Sequence, residues 1–439
     1  MMEWSKLLCA ERLVATKKAD GNPYRTPFEI DRNRLVFSEA WRVLGGKTQV
    51  HGATGTSFVR TRLTHSLEVS HIARSIGAIV GQSIAERKFD GNPLVARDIA
   101  NILEAAGLWH DLASMPFGHT GEDAVSEWFD TEGRRLGLFD MLNPQVVCEM
   151  VNFEANAQSF RTVSRLEGWK STGGLQLTCA TLAAAVKYPH LIDTTLDQPA
   201  GAKYSFYRSE ADLFREVAEK TGLIEYEPGK WVRHPLAYLL EAADDIAYTV
   251  CDIEDGAHMR CISLTEAEEM LAALAGPLAD EADFDGAESE RRLIRLRSLA
   301  IERQIQEVAD AFLELEPEIM AGKRFKSLMK EIPAAPVIKR VLDASADRIY
   351  RNRKRLEFDM VGWKSLHILL GSFCPAFLER ERKGQGGRLS ARSLAVVRLF
   401  PEHEKVPYDR EGWLRRVMDY IASRTDEDVI RLAKIFEGI

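Results

Sequence analysis

The chain carries the stretch Leu108-Trp109-His110-Asp111, and Phe117-Gly118-His119-Thr120-Gly121-Glu122 follows it closely. An adjacent His-Asp pair on a helix can direct an imidazole nitrogen and a carboxylate oxygen toward one ion. A second histidine, His65, lies upstream, and an acidic stretch that contains Asp244 lies downstream. Together these side chains predict a divalent metal site. The pattern is typical of metal-assisted hydrolysis.

Composition limits the class of protein. A chain of 439 residues that is 45% hydrophobic can bury a sizeable core, and its length suggests two or three domains. The net charge of −8 argues against a broadly basic nucleic-acid-binding protein. Six scattered cysteines without a C-x-x-C motif indicate reduced thiols in a cytoplasmic protein. Glu3 and Glu11 in the apolar N-terminal stretch argue against a signal peptide. The sequence has no run of about 18 apolar residues, so we predict no membrane span.

The pattern of apolar residues predicts an all-α fold with a short β-hairpin at most. The hairpin would pair residues 49–51 with 58–59. Loops are expected at 276–286 and 382–388, and the first would separate a catalytic core, 1–275, from a C-terminal helical portion, 276–439, packed on it. Helical periodicity covers residues 66–84, 97–110, 175–187, 210–221, 234–255, 264–275, 290–315, 337–348, 362–372, 390–399 and 411–437.

Four residues are the candidate metal ligands: His65, His110, Asp111 and Asp244. Histidine suits transition metals, and two carboxylates keep the site hard enough for Mg²⁺ or Mn²⁺. Four protein ligands leave positions open on a six-coordinate ion for a water and a phosphate oxygen, as a catalytic site requires. Any one of the ten histidines is more often an ordinary core or surface residue. The joint pattern favours the metal site.

The arrangement resembles the HD-domain phosphohydrolase superfamily, and within it the deoxyguanosine triphosphate triphosphohydrolases and related dNTPases. The resemblance spans roughly residues 25–260 and identifies 1–275 as an HD-domain helical fold with a C-terminal extension. It is carried by Arg25-Thr26-Pro27-Phe28, Lys47-Thr48-Gln49-Val50, Thr61-Arg62-Leu63-Thr64-His65-Ser66-Leu67-Glu68-Val69, His110-Asp111, Pro116-Phe117-Gly118-His119-Thr120-Gly121-Glu122, Asn156-Ala157-Gln158-Ser159, Lys187-Tyr188-Pro189, Glu241-Ala242-Ala243-Asp244-Asp245-Ile246-Ala247-Tyr248 and Asp252-Ile253-Glu254-Asp255.

His119 and Glu122 are the candidate catalytic pair. Thr120-x-x-Asp123 is similar to a capping box, which predicts that His119 lies just before a helix and Glu122 in its first turn. A carboxylate there can fix the imidazole tautomer and raise its basicity, as a general acid requires. Alternatively, Glu122 only complements the helix dipole. The resemblance places the pair beside the leaving 5′ oxygen.

Substrate contacts are expected from an acidic helix and from cations. Asp244, Tyr248 and Asp252 recur at i, i+4 and i+8, so they share one helix face. By resemblance, Tyr248 packs against the deoxyribose and excludes ribonucleotides, while Asp252 and Gln49 bind the 3′ hydroxyl. The alternative is a solvated acidic face with Tyr248 in the core. The cations expected to hold a triphosphate are Arg62, Lys187 and Lys203.

The resemblance implies a metal-dependent hydrolase, using Mg²⁺ or Mn²⁺, that converts dGTP, or dNTPs generally, to deoxynucleoside and triphosphate. It also implies a homo-oligomer, with a hexamer among relatives. The alternatives are a nucleotidase or phosphodiesterase of the same superfamily, and a non-catalytic nucleotide-sensing or single-strand-binding protein. Basic stretches at 291–297 and 351–355 leave an effector nucleotide or single-stranded nucleic acid open as partners, although such runs are more often solvated helix faces.

Overall fold

The computed structural model describes residues 1–13, 24–50, 59–168, 173–194, 202–280, 282, 284, 288–324, 326–350 and 352–439. Within this part the chain is largely helical, and strands β1 (Glu225–Glu227) and β2 (Lys230–Trp231) pair antiparallel. The predicted all-α fold is confirmed. The turn of the predicted hairpin, residues 51–58, lies outside the described residues.

The described α-helices, in chain order, are α1 (Trp4–Leu7), α2 (Pro27–Val36), α3 (Glu39–Val43), α4 (Arg62–Lys88), α5 (Pro93–Trp109), α6 (His119–Trp128), α7 (Pro144–Val151), α8 (Ala155–Arg161), α9 (Cys179–Ala184), α10 (Ala211–Thr221), α11 (Pro235–His258), α12 (Leu264–Ala275), α13 (Pro277–Asp280), α14 (Ser289–Met320), α15 (Ala335–Ser345), α16 (Arg353–Lys383), α17 (Ala391–Leu399), α18 (Arg410–Ala422) and α19 (Asp426–Glu437). A π-helical turn, Ala346–Tyr350, continues α15.

Glycine allows α4 and α5 to pack with their backbones close together. A Cβ atom on Gly107 of α5 would lie 2.6 Å from the Cα atom of Ser70 on α4, and one on Gly77 would lie 3.0 Å from the Cα atom of Ala100. A side chain at either position would therefore push the helices apart. This close pair holds His65 at the start of α4 near His110 at the end of α5.

The buried apolar residues form two large clusters. The first joins α4, α5 and α11 with α12 and α14. The second joins α6 and α7 with α16, α18 and α19. Both clusters therefore contain residues from either side of position 276. The division into 1–275 and 276–439 stays a prediction about folding units.

Helix α16, Arg353–Lys383, is long and apolar enough to cross a membrane by length and composition alone, with a mean hydropathy of 1.2 over its most apolar window. More than half of that window, 56%, is buried inside the protein. Leu366, Leu369 and Phe373 pack within the second apolar cluster. Core helices of globular proteins pass the same test, so this helix is weak support for a membrane span.

Candidate active site

Three of the four predicted metal ligands come together at one point. The Nε2 atom of His65 lies 3.1 Å from the Oδ1 atom of Asp244, and the Nε2 atom of His110 lies 3.5 Å from the same oxygen. The three ligand atoms all lie within 4.8 Å of one another. Because α4, α5 and α11 pack against each other, residues far apart in the chain meet here. This His-His-Asp cluster could bind a metal ion.

The hydrogen bonds of His110 prepare it as a ligand. Its Nδ1 atom donates to the carbonyl oxygen of Gly107 at 2.8 Å, which leaves the lone pair of Nε2 available. The Nε2 atom is buried and makes no well-formed hydrogen bond with the described residues. A buried polar atom without a partner is unfavourable, and an ion at this point would satisfy it. The donor set therefore fits a divalent metal.

Asp111 lies beside this cluster but contacts a different partner. Its carboxylate pairs with the Nη1 atom of Arg62, which also donates to the hydroxyl of Ser114 at 3.0 Å. Arg62 is the first residue of α4, one turn before His65, as the spacing predicts. The role of Asp111 as a fourth ligand stays a prediction.

The two predicted lysines reach the same cavity, and each contacts a carboxylate. The Nζ atom of Lys187 lies 3.0 Å from Glu241, and that of Lys203 lies 2.8 Å from Glu154. Burial opposes the charge on Lys187, but Glu241 outweighs it and raises the pKa of this lysine above its ordinary value. Burial likewise opposes the charge on Lys203, but Glu154 outweighs it and raises the pKa, so both lysines are cationic at neutral pH.

His119 begins α6 rather than preceding it, so the expected capping box at Thr120 is wrong. The N-cap residue is Gly118, which has a φ of 61°, and no side chain caps the helix. Phe117 also has a positive φ, 66°, so the chain turns sharply before the helix. The Nδ1 atom of His119 then lies 3.3 Å from the carboxylate of Glu122. The hydrogen bond and charge of Glu122 raise the pKa of His119.

The helix face that carries Asp244, Tyr248 and Asp252 lies partly in the cavity and partly in the protein interior. Tyr248 is 38% exposed and lines the cavity, but Asp252 is buried and accepts a hydrogen bond of 2.8 Å from the hydroxyl of Tyr350. The rings of Tyr248 and Tyr350 stack, with centroids 5.2 Å apart and planes within 4°. Burial raises the pKa of Asp252 to about 8. The side-chain oxygen of Gln49 is buried without a partner among the described residues.

One cavity of about 460 Å³ contains nearly all of the predicted site. Asp252 is the exception, because the Tyr350 hydroxyl covers it. The predicted residues that line the cavity are Gln49, Arg62, His65, His110, Asp111, His119, Glu122, Lys187, Lys203, Asp244 and Tyr248.

Sequence reasoning missed cavity residues from the C-terminal portion, notably Tyr350 and Arg355. Arg355 belongs to the basic stretch 351–355, for which the sequence leaves only an effector nucleotide or single-stranded nucleic acid open as a partner. Nothing local in the sequence indicates that Tyr350 meets α11. Three other arginines of the basic stretches form ion pairs, Arg292 with Glu268, Arg297 with Glu254 and Arg353 with Glu357.

Comparison with known proteins agrees with this geometry. The model of the HD domain family matches residues 62–159. A deoxyguanosinetriphosphate triphosphohydrolase-like protein of Synechocystis sp. is 38% identical, and the alignment covers 100% of both chains. A protein of the same name from Pseudomonas aeruginosa is 34% identical over 100% of this chain and 99% of its own. A deoxyguanosinetriphosphate triphosphohydrolase of Yersinia pestis is 27% identical over 91% of each chain. The chain belongs to the HD-domain family of deoxyguanosinetriphosphate triphosphohydrolase-like proteins.

Proposed function

We propose that this protein hydrolyses dGTP, and dNTPs generally, to deoxynucleoside and inorganic triphosphate. The observation that carries the proposal is that one cavity holds the His-His-Asp cluster, the His119–Glu122 pair and the cations Arg62, Lys187 and Lys203. The names of the relatives support the substrate class. We also propose that the enzyme acts in the cytoplasm as a homo-oligomer, as the resemblance implies.

The metal would be held by His65, His110 and Asp244, with Asp111 as the fourth ligand. Two imidazoles and two carboxylates suit Mn²⁺ and Mg²⁺. When bound, such an ion polarises a phosphoryl oxygen and lowers the pKa of water. Asp111 would have to share its carboxylate with Arg62, because the two already form an ion pair.

Three of the cations that line the cavity bind the triphosphate and offset its charge. Arg62, Lys187 and Lys203 each contact a carboxylate now, and a phosphate oxygen would compete for the same donors. Stabilising negative charge in this way is the main contribution of the protein to phosphoryl transfer.

His119 supplies the proton for the leaving group. A water oxygen forms a new bond to the α-phosphorus, the bond between that phosphorus and the 5′ oxygen breaks, and His119 gives its Nε2 proton to the 5′ oxygen. The proton that the water loses passes to solvent, and His119 regains a proton from solvent after the product leaves. Glu122 holds the Nδ1 proton and keeps the imidazole protonated. The products are deoxynucleoside and triphosphate.

The sugar is selected beside Tyr248, one turn of α11 after the metal ligand Asp244. Tyr248 would pack against the deoxyribose, where a 2′ hydroxyl would clash with the ring. The side-chain oxygen of Gln49, which has no partner among the described residues, would accept the 3′ hydroxyl, together with Asp252 once Tyr350 releases it.

Product analysis tests the proposal. The full chain is incubated with each of the four dNTPs and with GTP, in Mg²⁺ or Mn²⁺, and the products are separated by chromatography. We expect deoxynucleoside and triphosphate from the dNTPs. Release of orthophosphate or diphosphate would instead indicate a nucleotidase or phosphodiesterase, and no turnover would indicate a nucleotide-binding protein.

His65 provides a matched variant for the metal. His65→Ala should lose both bound metal and turnover. His71 is exposed on the same helix, outside the cavity, so His71→Ala is the control and should keep both. Full metal content and a normal rate in His65→Ala would contradict the ligand assignment.

A further inference from the structure

Arg355 differs from the other cations of the cavity. It lies in the first turn of α16, where Asn352 caps the helix and its side chain accepts the Arg355 backbone N–H at 3.0 Å. The guanidinium lies 3.6 Å from the carboxylate of Asp359, beyond hydrogen-bond distance. It makes no hydrogen bond with the described residues. Arg62, Lys187 and Lys203 already contact carboxylates at 3.0 Å or less, whereas the guanidinium of Arg355 has only the longer contact with Asp359 in the described part of the chain.

Arg355 adjoins the part of α11 beyond the metal ligand Asp244, because Tyr350, five residues before it, contacts Tyr248 and Asp252. Its charge acts on Tyr248 and Asp252, which follow Asp244 along α11. Asp252 is eight residues after Asp244, a rise of about 12 Å along a helix. Arg62 pairs with Asp111 beside the metal cluster, so Arg355 lies toward the other, nucleoside end of the proposed substrate path.

The surface at this end is suited to a base. The stacked rings of Tyr248 and Tyr350 form an aromatic platform, and Arg355 lines the same cavity. Aromatic side chains and arginine planes are common partners of unpaired bases. An arginine fork donates two hydrogen bonds to O6 and N7 of guanine, while adenine presents an amino donor in place of O6.

We propose that Arg355 is the residue that recognises the nucleobase, by donating to the O6 and N7 acceptors of guanine. The proposal rests on the proposed function, because it assumes that a deoxynucleoside triphosphate occupies the cavity. It assigns the guanine preference to a residue of the C-terminal portion, outside the stretch matched by the HD domain model.

The test measures binding without turnover. Dissociation constants for dGTP, dATP and 7-deaza-dGTP are measured by calorimetry on the full chain in EDTA. Wild type should bind dGTP more tightly than dATP, and loss of N7 in 7-deaza-dGTP should weaken binding. Arg355→Ala should weaken dGTP binding by about 10- to 100-fold, the range for a bidentate arginine–guanine contact, with little change for dATP. The variant should no longer distinguish dGTP from 7-deaza-dGTP.

Two further variants sharpen the result. Arg355→Lys keeps the charge but lacks the planar fork, so it should keep dATP affinity and restore little of the dGTP preference. Arg353→Ala is the matched control, because Arg353 is in the same helical turn, is 91% exposed and pairs with Glu357. It should bind all three nucleotides as wild type does. Thermal melting checks that each variant is folded.

Three outcomes would overturn the proposal. The first is equal affinity of the wild-type protein for dGTP and dATP. The second is an equal loss of affinity for both nucleotides in Arg355→Ala, which would indicate a phosphate contact. The third is an unchanged preference for dGTP in that variant. These outcomes differ from failure of the proposed function, which would appear as absence of triphosphate among the products of the wild-type protein.

Discussion

His119 projects from a sharp backbone turn, and Glu122 holds one of its ring nitrogens. Its side chain is 78% exposed, so the imidazole can reach a substrate without moving the core. Positive φ angles at Phe117 and Gly118 create this turn, and the backbone N–H of Phe117 donates to Asp426 at 2.9 Å. The backbone therefore positions the imidazole, and Glu122 raises its pKa and so favours its protonated form.

Replacing His119 should affect chemistry more than binding. We expect His119→Ala to slow turnover by about 10²–10⁴-fold, the usual range for a lost general acid, with nearly unchanged metal content and nucleotide affinity. Glu122→Ala should lose less, and the double variant should resemble His119→Ala, because Glu122 acts through the imidazole. Kinetics and dissociation constants for the three variants check this. A His119 variant that binds no metal, or one that turns over normally, would refute the role.

Glu122 should also set the pH profile. A general acid must be protonated, so kcat should fall as pH rises through the pKa of His119. Glu122 raises that pKa through its hydrogen bond and charge. Glu122→Gln should therefore move the alkaline limb of kcat to lower pH. The same limb in both proteins would mean that Glu122 does not tune the imidazole.

Tyr248 should control sugar selection. Its exposed ring faces the cavity on the same helix face as Asp244. Trimming it to alanine should weaken the rejection of GTP relative to dGTP. Competition assays with both nucleotides measure the ratio of kcat/KM. If a folded Tyr248→Ala protein keeps the wild-type ratio, the ring only supports Tyr350.

Among the elements, α11 carries the most site residues, and its start is fixed by His234. The Nδ1 atom of this buried histidine accepts the backbone N–H of Leu236 at 3.1 Å, and its Nε2 atom donates to the carbonyl oxygen of Leu7 at 3.1 Å. Burial lowers the pKa of His234 to about 4. The neutral ring therefore joins the N-terminal segment to the helix that holds Asp244.

His234→Ala should destabilise the fold by about 1–3 kcal/mol, because it removes a helix cap and a buried hydrogen bond. His234→Asn can still cap the helix and should lose less. The pKa of His234 in the folded protein lies below the ordinary value of 6.5. As pH falls, His234 is therefore protonated in the unfolded chain before it is protonated in the folded protein. Wild-type stability from this group should be intact above pH 6.5 and fall toward pH 4. Denaturant unfolding measures both effects, and equal stability of the alanine variant would contradict this role.

Long periodic helices such as α4, α5 and α11 follow directly from the spacing of apolar residues. Their ends depend on local contacts that periodicity does not contain. The predicted helix 411–437 is two helices, α18 and α19, because Thr425 caps a new start by accepting the Asp428 N–H at 3.1 Å. The predicted helix 175–187 forms only over α9. At α6, a positive φ at Gly118 replaces the expected side-chain cap.

At the scale of the whole molecule, the C-terminal helices hold residues 114–117, the segment that leads to His119. The Nζ atom of buried Lys47 donates to the carbonyl oxygens of Ser114 and Ala422 at 2.7 and 2.6 Å. The carboxylate of Asp426 accepts the N–H groups of Thr48 and Phe117, each at 2.9 Å. Such contacts over hundreds of residues have no local sequence pattern. Resemblance identified most of the cavity, but only the packing reveals these contacts and those of Tyr350.

Asp426→Ala tests this coupling. It leaves two backbone N–H groups without an acceptor, which should cost about 2–4 kcal/mol of stability. Phe117 lies in the turn before His119, and Thr48 precedes the cavity residue Gln49. Turnover should therefore fall when the N–H groups of Phe117 and Thr48 lose this acceptor. Exposed Glu427 is the neighbouring control, and Glu427→Ala should change neither property. Thermal melts and kcat measure the two effects. A fully active, stable Asp426→Ala protein would show that the hydrogen bonds of Asp426 are dispensable.

The most direct test of the central claim follows the oxygen of the attacking water. The full chain hydrolyses dGTP with Mn²⁺ in ¹⁸O-labelled water, and mass spectrometry and ³¹P NMR identify the products. Attack at the α-phosphorus with cleavage of its bond to the 5′ oxygen predicts ¹⁸O in inorganic triphosphate and unlabelled deoxyguanosine. Label in deoxyguanosine, or orthophosphate or diphosphate as the inorganic product, would contradict the account.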